Sequence, residues 1–333
     1  MNLSDTNNKT VDISIVVATY NRAEMLRNAL KTLISQKTEG KFAYEICVID
    51  DGSTDHTAAV VREMAQNNAS PTIKYIYTSG AGPSHALNRG VAEARGEWLA
   101  FFDDDQLAEP EWLAELYRVA QEKGVKCVDG AVCLDLPNTN TFELLQKWRI
   151  LLGEKFLGNC IRKSSKDYMG SGNLLIKKNL VTQLGGFDTV NFPLVSYDTD
   201  LFWRLEREGY YSYYTPHALV HHVIPESRLK INSLTETLQR QAVTYAKLVF
   251  KYEGALKLTL LTLWRLSIIL GRDILLYSIF RFFGPKLLLI DKKMNLRWGA
   301  AFVRGALSQL MPTIFKQEKF INTLYISYLI RNG

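Results

Sequence analysis

Short apolar runs alternate along the chain with segments whose apolar residues recur at helical spacing. ISIVVATY, residues 13–20, is β-branched and almost wholly apolar, the pattern of a parallel strand buried on both faces. Behind Asn21, RAEMLRNALKTLISQ puts Met25, Leu26, Ala29, Leu30, Leu33 and Ile34 on one helical stripe. YEICVID (44–50) reads as a second strand, DGSTDHTAAVVREMAQ as turn, cap and helix, IKYIYT as a third strand, GPSHALNRGVAEARG as a Gly-bounded helix and EWLAFF as a fourth strand. Such alternation predicts an α/β fold with a mostly parallel sheet, and ligands bind such sheets beyond the carboxyl ends of the strands.

That rule gathers the polar motifs on one rim. Thr19, Tyr20, Asn21 and Arg22 follow the first strand, Asp50 and Asp51 the second, and Asp103, Asp104 and Asp105 the fourth. Adjacent carboxylates raise one another's pKa, so a cluster of this kind persists where something positive sits among it, and a divalent metal is a candidate. Acidic residues are also tolerated at loop ends and helix starts, and Ser53 or Thr54 would cap the next helix.

From about Leu234 the strand signals stop and long helical stretches begin. Of 333 residues 47% are hydrophobic and 22% charged, which excludes a disordered chain. The net charge of +6 hides an asymmetry. From Lys230 onward 16 Lys and Arg stand against 5 Asp and Glu, leaving 24 of the 40 basic and 29 of the 34 acidic residues to the front. Charges at Lys257, Arg265, Arg272, Asp273 and Arg281 break the apolar background, so no uncharged run approaches the roughly 20 residues of a spanning helix. Helices lying in a membrane interface fit this composition; the alternatives are a helical subdomain packed on the core or a dimer interface, and a tilted spanning pair with snorkelling arginines. The basic residues do not cluster on a polar face and no nucleic-acid motif is present, so no nucleic-acid partner is expected. Cys47, Cys127, Cys133 and Cys160 lack CxxC spacing, which points away from a zinc ribbon or a disulfide framework and toward a reducing cytosol. The opening MNLSDTNNKTVD has no apolar h-region and reads as a loose tail over residues 1–11.

In order and spacing, VVATYNR, VIDDGSTDHT, GPSHALNRGVAEARGEWLAFFDDD, GSGNLLIKKNLVTQLGGFD and YDTDLFWRLEREGY resemble family 2 glycosyltransferases with the GT-A fold. The resemblance implies a GT-A domain over 12–230, which leaves a basic hydrophobic helical region over 231–333, membrane-associating or packed on the core. It implies inverting transfer of a sugar from a nucleotide diphosphate donor, most often a uridine one, helped by Mn²⁺ or Mg²⁺. Carried over by position, Thr19, Tyr20 and Arg22 would line the nucleotide pocket, Asp51 or Asp50 would bind the base, and Asp104 would touch the ribose. Asp105, with Asp103 and His222, would hold the metal, and oxygen ligands suit a hard cation. Asp198 would be the catalytic base, with Asp200 the second choice; Tyr197 stands where the family usually has a glutamate. Asp188 and Tyr197 would face the acceptor.

The remaining histidines and Arg228 divide less clearly. His56 and His85 start helices, His221 neighbours His222, His217 carries no expectation, and Arg228 would approach the diphosphate or stay on the surface. The Gln-x-x-Arg-Trp motif of processive members is incomplete here, at QRQAV (239–243) and MNLRW (294–298), which favours adding one or a few sugars. The expected setting is bacterial surface-polysaccharide or lipid-linked glycan synthesis at the cytoplasmic membrane face, with the cytoplasm as second choice. A sugar-phosphate nucleotidyltransferase and a catalytically silent nucleotide-binding membrane module are the alternatives.

Overall fold

The computed structural model of the chain describes residues 11–137, 146–164 and 170–315, so the expected tail lies outside it apart from residue 11. The chain divides into two compact units, Met1–Ile224 and Pro225–Gly333. The first runs β1 (Ile13–Thr19), α1 (Ala23–Ile34), β2 (Tyr44–Asp50), α2 (Thr57–Asn67), β3 (Thr72–Tyr77), α3 (Pro83–Glu93), β4 (Trp98–Asp103), β5 (Gln106–Ala108), α4 (Trp112–Lys123), β6 (Cys127–Asp135), α5 (Gln146–Leu151), β7 (Arg162–Ser164), β8 (Asn173–Lys177), α6 (Lys178–Gln183), α7 (Tyr197–Arg207) and β9 (Ser212–Val223). The strands and helices expected from periodicity are the first seven of these elements.

One nine-stranded sheet results, in the order β3-β2-β1-β4-β8-β6-β9-β5, with β7 paired to β9. Its first four strands are parallel, and their register sets Thr19 beside Asp50 and Ala18 beside Asp103. The rim predicted from sequence is therefore built by strand pairing. β1 is apolar apart from Ser14 and Thr19 because both faces are covered: Ile13, Ile15 and Val17 pack with Leu26 and Leu30 of α1, and Val16 packs with Ala86 and Leu87 of α3.

β8 then runs antiparallel between β4 and β6. Asn173, at its start, is fully buried and tied on three sides. The Trp112 indole N–H donates to its Oδ1 at 2.8 Å, and its Nδ2 donates to the carbonyls of Ala131 and Ala218 at 2.8 and 2.9 Å. Buried polar groups are stable when paired in this way. The ties hold the stretch before β8 against the end of β4, where the acidic cluster begins.

The second unit is helical: α8 (Glu226–Leu229), α9 (Ile231–Ile268), a π-helical stretch Ile269–Asp273, α10 (Ile274–Phe283) and α11 (Lys286–Leu310). α9 breaks at Gly254, whose φ of +84° an L side chain rarely adopts. α9 and α11 share a core that includes Ala242, Val243, Ala246, Val249, Ala301 and Phe302. Among the described residues no helix is long and apolar enough to cross a membrane.

Candidate active site

The turn after β1 is clipped to the turn after β2. Asn21 sits at φ +51°, its N–H donates to Ser53 Oγ at 2.9 Å, and its side-chain carbonyl accepts the Thr54 N–H at 2.8 Å. On either side of this clip stand Thr19 and Arg22, and both reach the end of β4. The Thr19 hydroxyl donates to Asp104 Oδ2 at 2.7 Å, while Arg22 Nη1 donates to Asp104 Oδ1 at 2.8 Å and to Asp105 Oδ2 at 3.2 Å. Three residues expected in a nucleotide pocket thus meet one expected at the metal. Tyr20 lies half-buried in the same turn.

His222 closes the other side. β5 pairs with β9 so that Gln106 stands opposite His222, and His222 Nε2 lies 3.4 Å from Asp105 Oδ1. Asp103 turns toward the loop before β8. A Cβ at Gly172 would overlap its Oδ2, so only glycine lets the backbone approach this carboxylate. Next to Gly172, the Ser171 N–H points to Asp198 Oδ2 at 3.4 Å, and the Thr199 N–H donates to Asp198 Oδ1 at 2.7 Å. Asp198, in the first turn of α7, is thus reached by Ser171, the chain neighbour of the glycine that meets Asp103.

These carboxylates lie close enough to act on one another's charge. Burial pushes Asp103 up to about 7, with Asp105, Asp104 and Asp198 adding to the rise and His222 opposing it. Asp104 is also raised by burial, against the pull of Arg22 and Thr19. Burial raises Asp198 too, although backbone N–H groups of Thr199 and Ser171 favour its ionised form. Glu45, buried at the opposite end of the sheet, behaves differently. There the hydrogen bonds from Arg95, Ser14 and Lys74 outweigh burial and hold the carboxyl below its usual value.

Other expected site residues have partners of their own. Asp50 accepts the Ser53 N–H at 2.8 Å and the Tyr75 hydroxyl at 2.7 Å, which braces the β2 turn. Asp51 accepts the Gly82 N–H, the Ala81 N–H and the Thr78 hydroxyl at 2.8, 3.1 and 2.8 Å, shaping the loop before α3. Asp188 binds the N–H groups of Val190 and Asn191 in its own loop, and Tyr197 lies edge-on to Phe187 at 5.8 Å between ring centroids. Asp200, fully buried, pairs with Arg204 at 2.7 Å one helical turn on, which leaves Asp198 as the carboxylate facing the cluster. His56 and His221 pair with Glu24 and Glu109. Arg228 lies in α8, in the second unit.

Gly172, Ser171 and Gln106 went unread in the sequence. GSGN and DDDQ contain them, but only the pairing of β8 with β4 and of β9 with β5 shows what they touch. Among the described residues no three His, Cys, Asp or Glu side chains form a ready metal cage. The donor set still fits a hard cation that keeps waters and borrows oxygens from its ligand, because such a cation needs only one or two carboxylates.

The raised carboxyls have a stability consequence. Because the folded pKa of Asp103 lies above its unfolded value, its contribution is fully present below the ordinary carboxylate range and is lost as pH rises through about 7. Asp103→Asn is expected to raise the thermal midpoint at pH 8, by about 2–4 °C for each ~1 kcal/mol of relieved repulsion, and to give no gain at pH 4. Scanning calorimetry at the two pH values checks this; an equal shift at both contradicts it.

Known proteins resemble the chain in sequence and in fold. The family model described as glycosyl transferase family 2 matches residues 14–185, more than half of the chain. Poly-beta-1,6-N-acetyl-D-glucosamine synthase of Staphylococcus aureus (strain COL) is 27% identical over 224 residues, covering 65% of this chain and 50% of the relative. The Staphylococcus epidermidis protein of that name is 28% identical over 223 residues, with the same coverage. The chain spans about half the length of these curated relatives. Among solved structures, mannosyltransferase PcManGT from Pyrobaculum calidifontis, in complex with GDP-Man and Mn²⁺, is similar at TM-score 0.58 and 17% identity, over 90% of this chain and 87% of that one. GalNAc-T7 with UDP, GalNAc and Mn²⁺ is similar at TM-score 0.52 and 15% identity, over 70% of this chain and 48% of that one. These likenesses show a shared GT-A fold. With the conserved-domain match running from β1 through α6, the chain belongs to glycosyl transferase family 2.

Proposed function

We propose that the chain transfers a sugar from a nucleoside diphosphate donor, a UDP-sugar in the first instance, to a hydroxyl of a glycan or lipid-linked acceptor with inversion at the anomeric carbon. The observation that carries this reading is the meeting of Thr19, Arg22, Asp103, Asp104, Asp105 and His222 at one sheet rim, with Asp198 in the same field. Family membership, the GDP-Man bound in one structural neighbour and the UDP bound in the other support it. Tyr20 and Asp51 belong to the base side, with Asp50 as the brace beneath, and Asp104 to the ribose. Asp188 and Tyr197 are assigned to the acceptor side.

Asp105, with Asp103 and His222, would hold Mn²⁺ or Mg²⁺. When bound, that cation supplies positive charge to the leaving diphosphate. Asp198 acts as general base: it takes the proton from the acceptor hydroxyl as oxygen attacks the anomeric carbon. Its position in the first turn of α7 and its backbone donors orient the carboxylate, and partial burial keeps it basic enough for the task. Acid inactivation is expected as Asp198 is protonated, at a pH above the ordinary carboxylate range. Asp198→Asn should lower transfer by about 10²–10⁴-fold while leaving donor binding within a few-fold; a pH–rate profile and a nucleotide titration read the two effects. Unchanged transfer in the variant removes Asp198 as the base.

The second unit supports a location at the cytoplasmic face of the membrane. Leu256, Leu260, Trp264, Leu270, Phe282 and Phe283 are exposed on α9, the π-helical stretch and α10, with Trp264 61% and Phe283 89% accessible. Exposed Lys257, Arg272 and Arg281 accompany them. That combination matches an interfacial helix on anionic lipid, whereas a second copy would bring like charges together. The Trp298 of the incomplete processive motif stacks on Phe302 at 5.5 Å inside the unit's own core, which supports addition of one or a few sugars. The protein should co-sediment with phosphatidylcholine vesicles containing about 30% phosphatidylglycerol, and Phe282→Ser with Phe283→Ser should abolish this. A wild-type protein that ignores vesicles, with dimerisation lost in the variant, would make the face a protein interface instead.

A further inference from the structure

Arg22 occupies an unusual position in this site. Its Nη1 stands between Asp104 Oδ1 at 2.8 Å and Asp105 Oδ2 at 3.2 Å, so one guanidinium nitrogen serves two carboxylates. The residue precedes α1 in the N-cap position, yet its side chain makes no capping bond to that helix. Its backbone is fixed by the neighbouring Asn21 clip, whereas its side chain is long and about a fifth exposed. A long side chain rooted in a clipped turn can move its charged end by a change of rotamer alone.

The buried carboxylates with structural roles are built differently. Glu45 is answered by two cations, Lys74 and Arg95, and by Ser14, and Asp129 by Lys155 at 3.0 Å and by Ser212. At the rim, one guanidinium nitrogen is shared by two carboxylates, and one of them is Asp105, the carboxylate assigned to the cation. A free divalent cation arriving alone would have to displace Arg22 from that oxygen or accept a positive neighbour at close range. A diphosphate changes the balance, because its oxygens match a guanidinium in geometry and charge and can draw it away.

We propose that Arg22 is the resident counter-ion of the carboxylate pair and yields Asp105 only to a donor, so that the divalent cation enters together with the nucleoside diphosphate and not before it. This rests on the reading of the rim as a nucleoside diphosphate site. Arg22 then has two posts, the carboxylates in the free protein and the diphosphate in the loaded one. It is a positioning residue that makes metal uptake contingent on donor.

The test uses the full chain and Mn²⁺ alone, with bound metal read by electron paramagnetic resonance. Wild type is expected to bind Mn²⁺ at least about tenfold more weakly than Arg22→Gln, since one unit charge a few ångströms away is worth more than that at protein-like screening. Arg22→Lys, which keeps the charge, should stay near wild type. Adding UDP should tighten Mn²⁺ binding in wild type and do so far less in Arg22→Gln. Equal Mn²⁺ affinity of wild type and Arg22→Gln, with both folded by circular dichroism, overturns the counter-ion role even if UDP binds normally. Conversely, if neither UDP nor GDP binds wild type with Mn²⁺ present, the nucleotide reading of the rim falls, and donor-dependent entry falls with it.

Discussion

Four carboxylates, Asp103, Asp104, Asp105 and Asp198, share one another's fields at the end of the parallel strands, and the protein must answer that repulsion. Three sequence-adjacent acids at the end of a buried strand cannot all relax into solvent. Burial raises Asp103, Asp104 and Asp198 above their ordinary values. Such a site is primed for cations, and the surrounding structure is arranged to keep it so. Parallel pairing of β1 with β2 and β4 fixes the rim, the Asn21 clip aims Thr19 and Arg22, and Asn173 pins the loop that carries Gly172 and Ser171.

The contrast with Glu45 separates function from architecture. Both ends of the sheet contain buried carboxylates, and at one end cations and donors satisfy the charge fully enough to lower its pKa. At the other end the charge is left only partly answered. A buried carboxylate that folding alone had to accommodate would be expected to resemble Glu45. Incomplete compensation costs stability, and the proposed function supplies a reason for retaining it: the missing charge would arrive with the substrate.

The parallel half of the fold was legible because each of its strands is covered on both faces and each helix has one apolar stripe. Val16 and Val17 point to opposite cores, so the run is apolar but for Ser14, and the polar residues at strand ends fall on one rim by topology alone. The later strands were not legible. β5 and β7 are three residues each, and β8 and β9 take their places through long-range pairings that no local period encodes. For the same reason the acidic residues of the site could be picked out, whereas Gly172, Ser171 and Gln106 could not. Asp50 and Asp51 looked alike in sequence; their surroundings distinguish them, one bracing a turn through Tyr75 and the other shaping the loop before α3. In the second unit, composition announced a basic, apolar helical region, but only the structure separates the face buried between α9 and α11 from the face left exposed.

Calorimetric titration with UDP and GDP, with and without Mn²⁺, on wild type and on Asp105→Ala most directly tests whether the rim is a metal-assisted nucleoside diphosphate site. The account predicts that one nucleotide binds wild type in a metal-dependent manner and that the variant, still folded, loses the metal dependence. Binding that is indifferent to both Mn²⁺ and Asp105, or absent from a folded wild-type protein, would contradict it.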